Sequence, residues 1–204
     1  MKRYLTAVVF WGSLWGIAEA SLGNLLHLAA IAIPGLPGFL MFPVAFFFMH
    51  KVFDATGRVG SIFHIAGIAA AIKMADFLLP VYLPIRIINP AICILLEGLA
   101  VACVYRIYIT RGQSLTGPAT FFMGAAWRTI FLGYLFVISR FGLPAALVTD
   151  GIQVSLRFVI LESFVNSLII YACLRWGHFK LQWEARPHWA AGALLLSLGI
   201  QFLI

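Results

Sequence analysis

Charge is what this sequence has least of. Asp, Glu, Lys and Arg make up 10% of its 204 residues, against 63% hydrophobic. A soluble domain of that size would carry about 25% charged residues. The shortage, with a mean hydropathy of +1.01, excludes an ordinary water-soluble fold. No polar block is large enough for a second domain, so residues 1–204 read as one integral membrane domain. Cysteine is scarce as well. Cys93, Cys103 and Cys173 all fall inside apolar runs without CxxC or Cys/His spacing, which predicts small packing residues, no disulfide and no zinc.

Signature motifs are also missing. The chain has no HExxH, no GxSxG, no Walker A and no GxGxxG, and neither a metal nor a cofactor is expected. His50, His64, His178 and His188 lack ligand spacing. His50, beside Lys51 at a span end, reads as interfacial. His64, on a face with Gly67 and Ala71, reads as packed and hydrogen-bonded. No strong internal repeat appears: LLEGLAVACVYR and ILESFVNSLIIYACLR share little beyond a Glu, small residues and a terminal Arg. The net charge of +7 does not signal nucleic acid, because the basic residues form no continuous patch and sit mostly in short connections.

Long apolar runs are what the chain has. The expected fold is all-α: a polytopic bundle of six core transmembrane helices plus a short seventh. The spans read as 5–31, 38–53, 60–80, 88–108, 117–140, 153–175 and 188–204. IPGLPG, DATGR, LPVYLP, TRGQSLTGP and FGLPAALVTDG separate them. The connection RWGHFKLQWEARPH is amphipathic and is expected at the interface, anchored by Trp176 and Trp183. MKRY followed by an apolar run and Ala18-Glu19-Ala20 resembles a signal peptide, but the run continues far past Ala20, so an uncleaved first helix is expected. With the N-terminus in the cytoplasm, nine of the fourteen Lys and Arg fall on the cytoplasmic side. That predicts a multi-pass protein of the inner or plasma membrane, N-terminus inside.

The informative residues are those that lipid should reject. Gly12, Gly16, Glu19, Ala20, Gly23 and His27 fall on one face of the first span. Small-xxx-small spacing admits a close helix neighbour, and a carboxylate at that depth must face protein or water. Lys73 and Asp76 share a face of the third span. Glu97 lies near the middle of the fourth and Arg128 near the middle of the fifth. Arg157 and Glu162 lie on the sixth, with Asn166 one turn beyond Glu162. Charges on five spans exceed what packing needs, although the acids and bases nearly balance and an internal network fits too. Lys73, Arg86, Arg140 and Arg157 lie toward the outer side, suggesting a basic pocket for an anion. Asn24, His27, Asn89 and Gln153 lie at similar depth. The candidate solute-binding set is Glu19, Asn24, His27, Lys73, Asp76, Arg86, Asn89, Glu97, Arg128, Arg157 and Glu162, with no catalytic residue assigned.

Short loops, a small-residue stripe on the first helix and polar groups gathered toward the outside resemble the substrate-binding S-component of energy-coupling-factor transporters, over residues 5–175. That resemblance implies six helices binding a vitamin-like solute, precursor or metal ion near the outer face. It also implies docking of the first helix onto a transmembrane coupling subunit driven by ATPases. The matching docking positions are Gly12, Gly16 and Ala20, with Gly for Ala at two of the three. The extra seventh segment and Glu19 within the stripe depart from the pattern. The leading expectation is therefore a transport subunit binding a small anionic solute, with lipid bilayer and solute as partners. A proton- or ion-coupled carrier using Glu19, Glu97 and Glu162 is an alternative, as is a membrane enzyme acting on a lipid-like substrate.

Overall fold

The computed structural model describes residues 1–29, 36–79, 83–176 and 185–201. It is 88% helix with no strand among the described residues, and six helices are long and apolar enough to span a membrane. The helices are α1 (Lys2–Ala29), α2 (Leu36–Thr56), α3 (Gly60–Met74), α4 (Pro84–Thr110) and α5 (Gly117–Ser139). A sixth span follows over Ile152–Trp176, and a C-terminal helix over Pro187–Gln201. The expected fold class, a helical membrane bundle, is what the chain adopts. The connection at 177–184 and the last residues, 202–204, lie outside the described residues, and with them the expected interfacial role of Trp183.

Local chemistry sets the helix ends. Pro84 opens α4 at its first position, where its missing N–H would be unpaired anyway and its fixed φ suits a helix. This is why α4 starts four residues before the expected 88. Thr116 caps α5 by accepting the Ala119 amide at 3.4 Å. α4 and α5 both end in a left-handed glycine. Gly112 (φ +61) and Gly142 (φ +72) return their own and the next residue's amides to the last turn. The bonds are Gly112 N–H to Ile109 at 3.0 Å, Gln113 to Tyr108 at 2.9 Å, Gly142 to Ser139 at 3.1 Å and Leu143 to Ile138 at 3.3 Å. This is the Schellman arrangement, which only glycine enters without strain.

The connections 57–59 and 111–116 are too short to recross a bilayer about 30 Å thick, so consecutive spans alternate in direction. The chain's start and these two connections share one face of the bundle, here the N-terminal face. Connection 140–151, which contains a single helical turn at Ala146–Thr149, lies on the far face.

α2 occupies the centre, touching α1, α3, α4 and the sixth span through fully buried Phe42, Ala45, Phe46, Met49 and Val52. α1 packs on α3, α3 on α4, α4 on α5 and α5 on the sixth span. The C-terminal helix lies against α1 and α3, burying Ala190, Ala193, Ser197 and Gln201, a 3–4 spacing that defines one helix face. Its 15 described residues rise about 22 Å, less than the thickness of the hydrocarbon core. Many large apolar side chains, such as Phe122, Phe164 and Leu195, point outward, as a lipid-facing surface requires.

Candidate functional site

Arg128, in the middle of α5, is completely buried. A guanidinium in the membrane needs acceptors from protein, and here three elements supply them to its terminal nitrogens, while Nε is buried without a partner among the described residues. One terminal nitrogen (Nη2) donates to the Gly38 carbonyl at 2.9 Å and to Asn166 Oδ1 at 2.7 Å. The other (Nη1) donates to the Gly124 carbonyl and Ser163 Oγ, both at 3.4 Å. The Glu162 carboxylate lies 3.7 Å from Nη2. Aromatic rings complete the enclosure: Trp127, Phe158 and Phe42 lie 4.5, 5.3 and 5.8 Å from the guanidinium carbon, where their faces attract a cation.

The sixth span contributes through a backbone irregularity. Arg157–Leu161 forms a π turn between two α-helical stretches. Beyond it Glu162, Ser163, Asn166 and Ser167 are all buried, at the i, i+1, i+4, i+5 spacing of one helix face. Ser167 Oγ bonds Thr120 Oγ1 at 2.8 Å and donates to the Gly117 carbonyl at 2.9 Å. A polar seam therefore joins α5 to the sixth span from Gly117 up to Arg128. α2 closes this region with its first turn, where Gly38 lies so close to the Glu162 carboxylate that a Cβ there would collide with it.

Glu97 differs from Arg128 in one decisive respect. It lies midway along α4, 6% exposed. Yet among the described residues it has no hydrogen-bond donor and no basic group within the 4.0 Å of an ion pair. Glu19 is half-buried and accepts the Trp15 indole N–H at 2.9 Å. Lys73 makes no ion pair with Glu19 among the described residues, because its ammonium is paired with Asp76 Oδ2 at 2.7 Å. The cationic contact expected for Glu19 is thus replaced by a neutral one. Glu19, Glu97, Arg128 and Glu162 lie on α1, α4, α5 and the sixth span, and among the described residues the ion-pair contact within this set is Arg128 with Glu162 at 3.7 Å.

The remaining candidates scatter. Arg86 is exposed. Asn89 Oδ1 accepts the Tyr134 hydroxyl at 3.0 Å and ties α4 to α5. Arg157 is exposed, 5.9 Å from the Phe39 ring. Arg140 sits 4.7 Å from the Phe136 ring, and Gln153 is exposed. The side chains of Asn24 and His27 lie outside the described residues. Residues that the sequence reading left out of the candidate set are Gly38, Ser163 and Asn166, all touching Arg128. The signal for part of this was Pro43 inside an apolar run.

The small stripe on α1 is covered within the chain. A Cβ on Gly12 would lie 2.9 Å from Ile68 Cβ, and one on Gly16 would lie 2.8 Å from Ile72 Cδ1. Ala20 is buried. The close neighbour that small-xxx-small spacing admits is α3 itself, so Gly12 and Gly16 are not open to a second protein in this arrangement.

The N-terminal face carries a separate set. His50 Nδ1 and the Tyr105 hydroxyl are 2.6 Å apart, with Asp54 3.5 Å from His50 Nε2. Tyr4 and His64 pair at 2.6 Å between α1 and α3. The expected hydrogen bond of His64 is present, although its ring is exposed rather than packed. No group of three metal-ligating side chains gathers among the described residues.

No family model matches the chain, and neither a curated protein nor a solved structure does.

Proposed function

We propose that this helical membrane bundle is a transport protein whose solute binds inside the bundle, beside Glu97. The supporting observation is Glu97 itself. A carboxyl group in mid-membrane costs several kcal/mol unless protein or water compensates it. Every other buried ionisable group of the set has a hydrogen bond or ion-pair contact; among the described residues Glu97 has neither. Groups kept in such a position are functional by default. Depth agrees with a transport role, since carriers bind solute near the bilayer midplane where several helices converge.

The occupied stripe at Gly12 and Gly16 favours a carrier that works without docking through α1. A solute-binding subunit of the energy-coupling-factor type, which that stripe first suggested, would need another docking face. Uptake into liposomes containing only this chain separates the two, because a binding subunit does not cycle productively without its ATPases. The positive-inside bias supports an N-terminus in the cytoplasm of the cell membrane.

The test of solute binding is thermal unfolding of the detergent-solubilised protein against a panel of small charged metabolites. A stabilising solute whose effect is lost in Glu97→Gln, with the variant still folded, supports the proposal. Stabilisation by none of the panel counts against it.

A further inference from the structure

We propose that the Arg128 cluster is a binding site of its own, holding a neutral hydroxyl group between Arg128 Nε and Glu162 Oε2. The hydroxyl belongs to a bound water or to a small alcohol or polyol. This site is separate from the one assigned beside Glu97.

Three buried polar atoms without a hydrogen-bond partner among the described residues belong to side chains that touch at this guanidinium: Arg128 Nε, Trp127 Nε1 and Glu162 Oε2. The Trp127 ring lies 4.5 Å from the guanidinium carbon, and Glu162 Oε2 lies 3.7 Å from Nη2, an ion-pair contact too long for a hydrogen bond. Arg128 is completely buried, and Trp127 and Glu162 are each 5% exposed. A partner for these atoms must therefore be bound inside the bundle.

The protein holds both sides of the gap. The terminal nitrogens of Arg128 are tied to Gly38, Asn166, Gly124 and Ser163. Four bonds to three elements set the plane of the guanidinium, so Nε cannot turn toward another acceptor. The Glu162 carboxylate is confined as well, against the bare Cα of Gly38. Within the planar guanidinium Nε is about 2.3 Å from Nη2, so it lies no more than about 6 Å from Glu162 Oε2, twice one hydrogen bond of about 3 Å. One oxygen can span that gap.

The unpaired atoms select the kind of oxygen. A hydroxyl accepts two bonds and donates one. It can accept from Arg128 Nε–H and donate to Glu162 Oε2, with its second lone pair free for Trp127 Nε1–H. If Glu162 takes up a proton, the same hydroxyl accepts from it, so the fit does not depend on the charge of that carboxyl group. A carboxylate or phosphate would set its charge against Glu162, and an ammonium or metal ion would meet the guanidinium. Among the described residues no group of three metal-ligating side chains forms here. An ether only accepts and leaves an ionised Oε2 unpaired.

The test is nuclear magnetic resonance on the full chain, labelled with heavy nitrogen, in a detergent without hydroxyl groups. Trp127→Phe identifies the Trp127 indole N–H, and cross-peaks to the Trp127 and Phe158 rings identify Arg128 Nε–H. Arg128 Nε–H is expected to show a cross-peak to a hydroxyl proton. A cross-peak at the water frequency that ethylene glycol leaves unchanged identifies a bound water. A saturable shift of Arg128 Nε–H with ethylene glycol, absent with its dimethyl ether, identifies an alcohol. Either result supports the site. Neither a cross-peak nor a saturable shift overturns it. Equal shifts with the glycol and the ether, or a saturable shift with formate alone, overturn the hydroxyl assignment. Glu162→Met, which fills the space without an acceptor of that kind, is expected to remove the cross-peak; a cross-peak kept in the folded variant overturns the bridge to Glu162. None of these readouts uses Glu97, so the metabolite panel decides the transport reading separately.

Discussion

Pro43 and Phe39 are linked by a missing hydrogen bond. In a regular helix the amide of residue 43 would donate to the carbonyl of residue 39, but proline has no N–H. The Phe39 carbonyl accepts the Asn166 side-chain amide instead, at 2.7 Å. Asn166 in turn accepts from Arg128 at 2.7 Å. One proline in the central helix thus supplies an acceptor that joins α2 to the sixth span and, through it, to the buried guanidinium.

Asn166→Ala removes both bonds at once. The expected cost is about 2 kcal/mol, since a hydrogen bond to a charged group is worth about 1.5–3 kcal/mol and the remaining acceptors hold Arg128. Pro43→Ala should cost less, because a carbonyl can accept two bonds. Reversible unfolding in mixed micelles measures both, and the double variant should be less destabilised than the sum of the single ones. Strict additivity would mean that the Pro43–Asn166 link is not coupled.

Gly38→Ala places a methyl group against the Glu162 carboxylate. Because that carboxylate is itself buried beside Arg128, it has little room to move. The expected destabilisation is about 1–3 kcal/mol, the usual cost of overpacking. Gly67→Ala is the matched comparison. A Cβ there meets nothing within 4 Å, and Ala is the better helix former by up to about 1 kcal/mol. The same unfolding assay should show opposite signs for the two substitutions.

The alternation of spans predicts sidedness. Single cysteines replacing Arg58 and Gln113, both exposed, should react alike, and one replacing exposed Phe141 should react from the other side. In a background without Cys93, Cys103 and Cys173, an impermeant thiol reagent added to intact cells should label only the cysteine at 141. Labelling at 58 from outside would reverse the orientation drawn from Lys and Arg placement. Different sidedness at 58 and 113 would contradict the fold.

The six spans were readable because a bilayer demands about 20 apolar residues per crossing and the breakers between runs are Gly, Pro and charge. Helix starts shifted where capping chemistry, not hydropathy, decides, as at Pro84. The buried charges were also readable, since lipid cannot hold Glu97, Arg128 or Glu162. Their partners were not. Side-chain pairing depends on helix rotation and on the π turn at Arg157–Leu161, which carries no residue signature. Spacing put Lys73 and Asp76 on one face, but not that their ion pair leaves Lys73 without contact to Glu19. Gly38 and the Phe39 carbonyl lay hidden for a different reason: backbone acceptors have no letter in a sequence. Pro43 inside an apolar run was the one legible hint that a carbonyl four residues earlier would need another donor.

The most direct measurement of the central claim, that Glu97 receives a charged solute within the membrane, is charge displacement on a solid-supported membrane carrying the reconstituted chain. Rapid addition of a charged metabolite that stabilises the wild type in the thermal panel should give a transient current in the wild type and none in Glu97→Gln at equal protein density. A transient of the same size in Glu97→Gln, or none in a folded wild type, would contradict it.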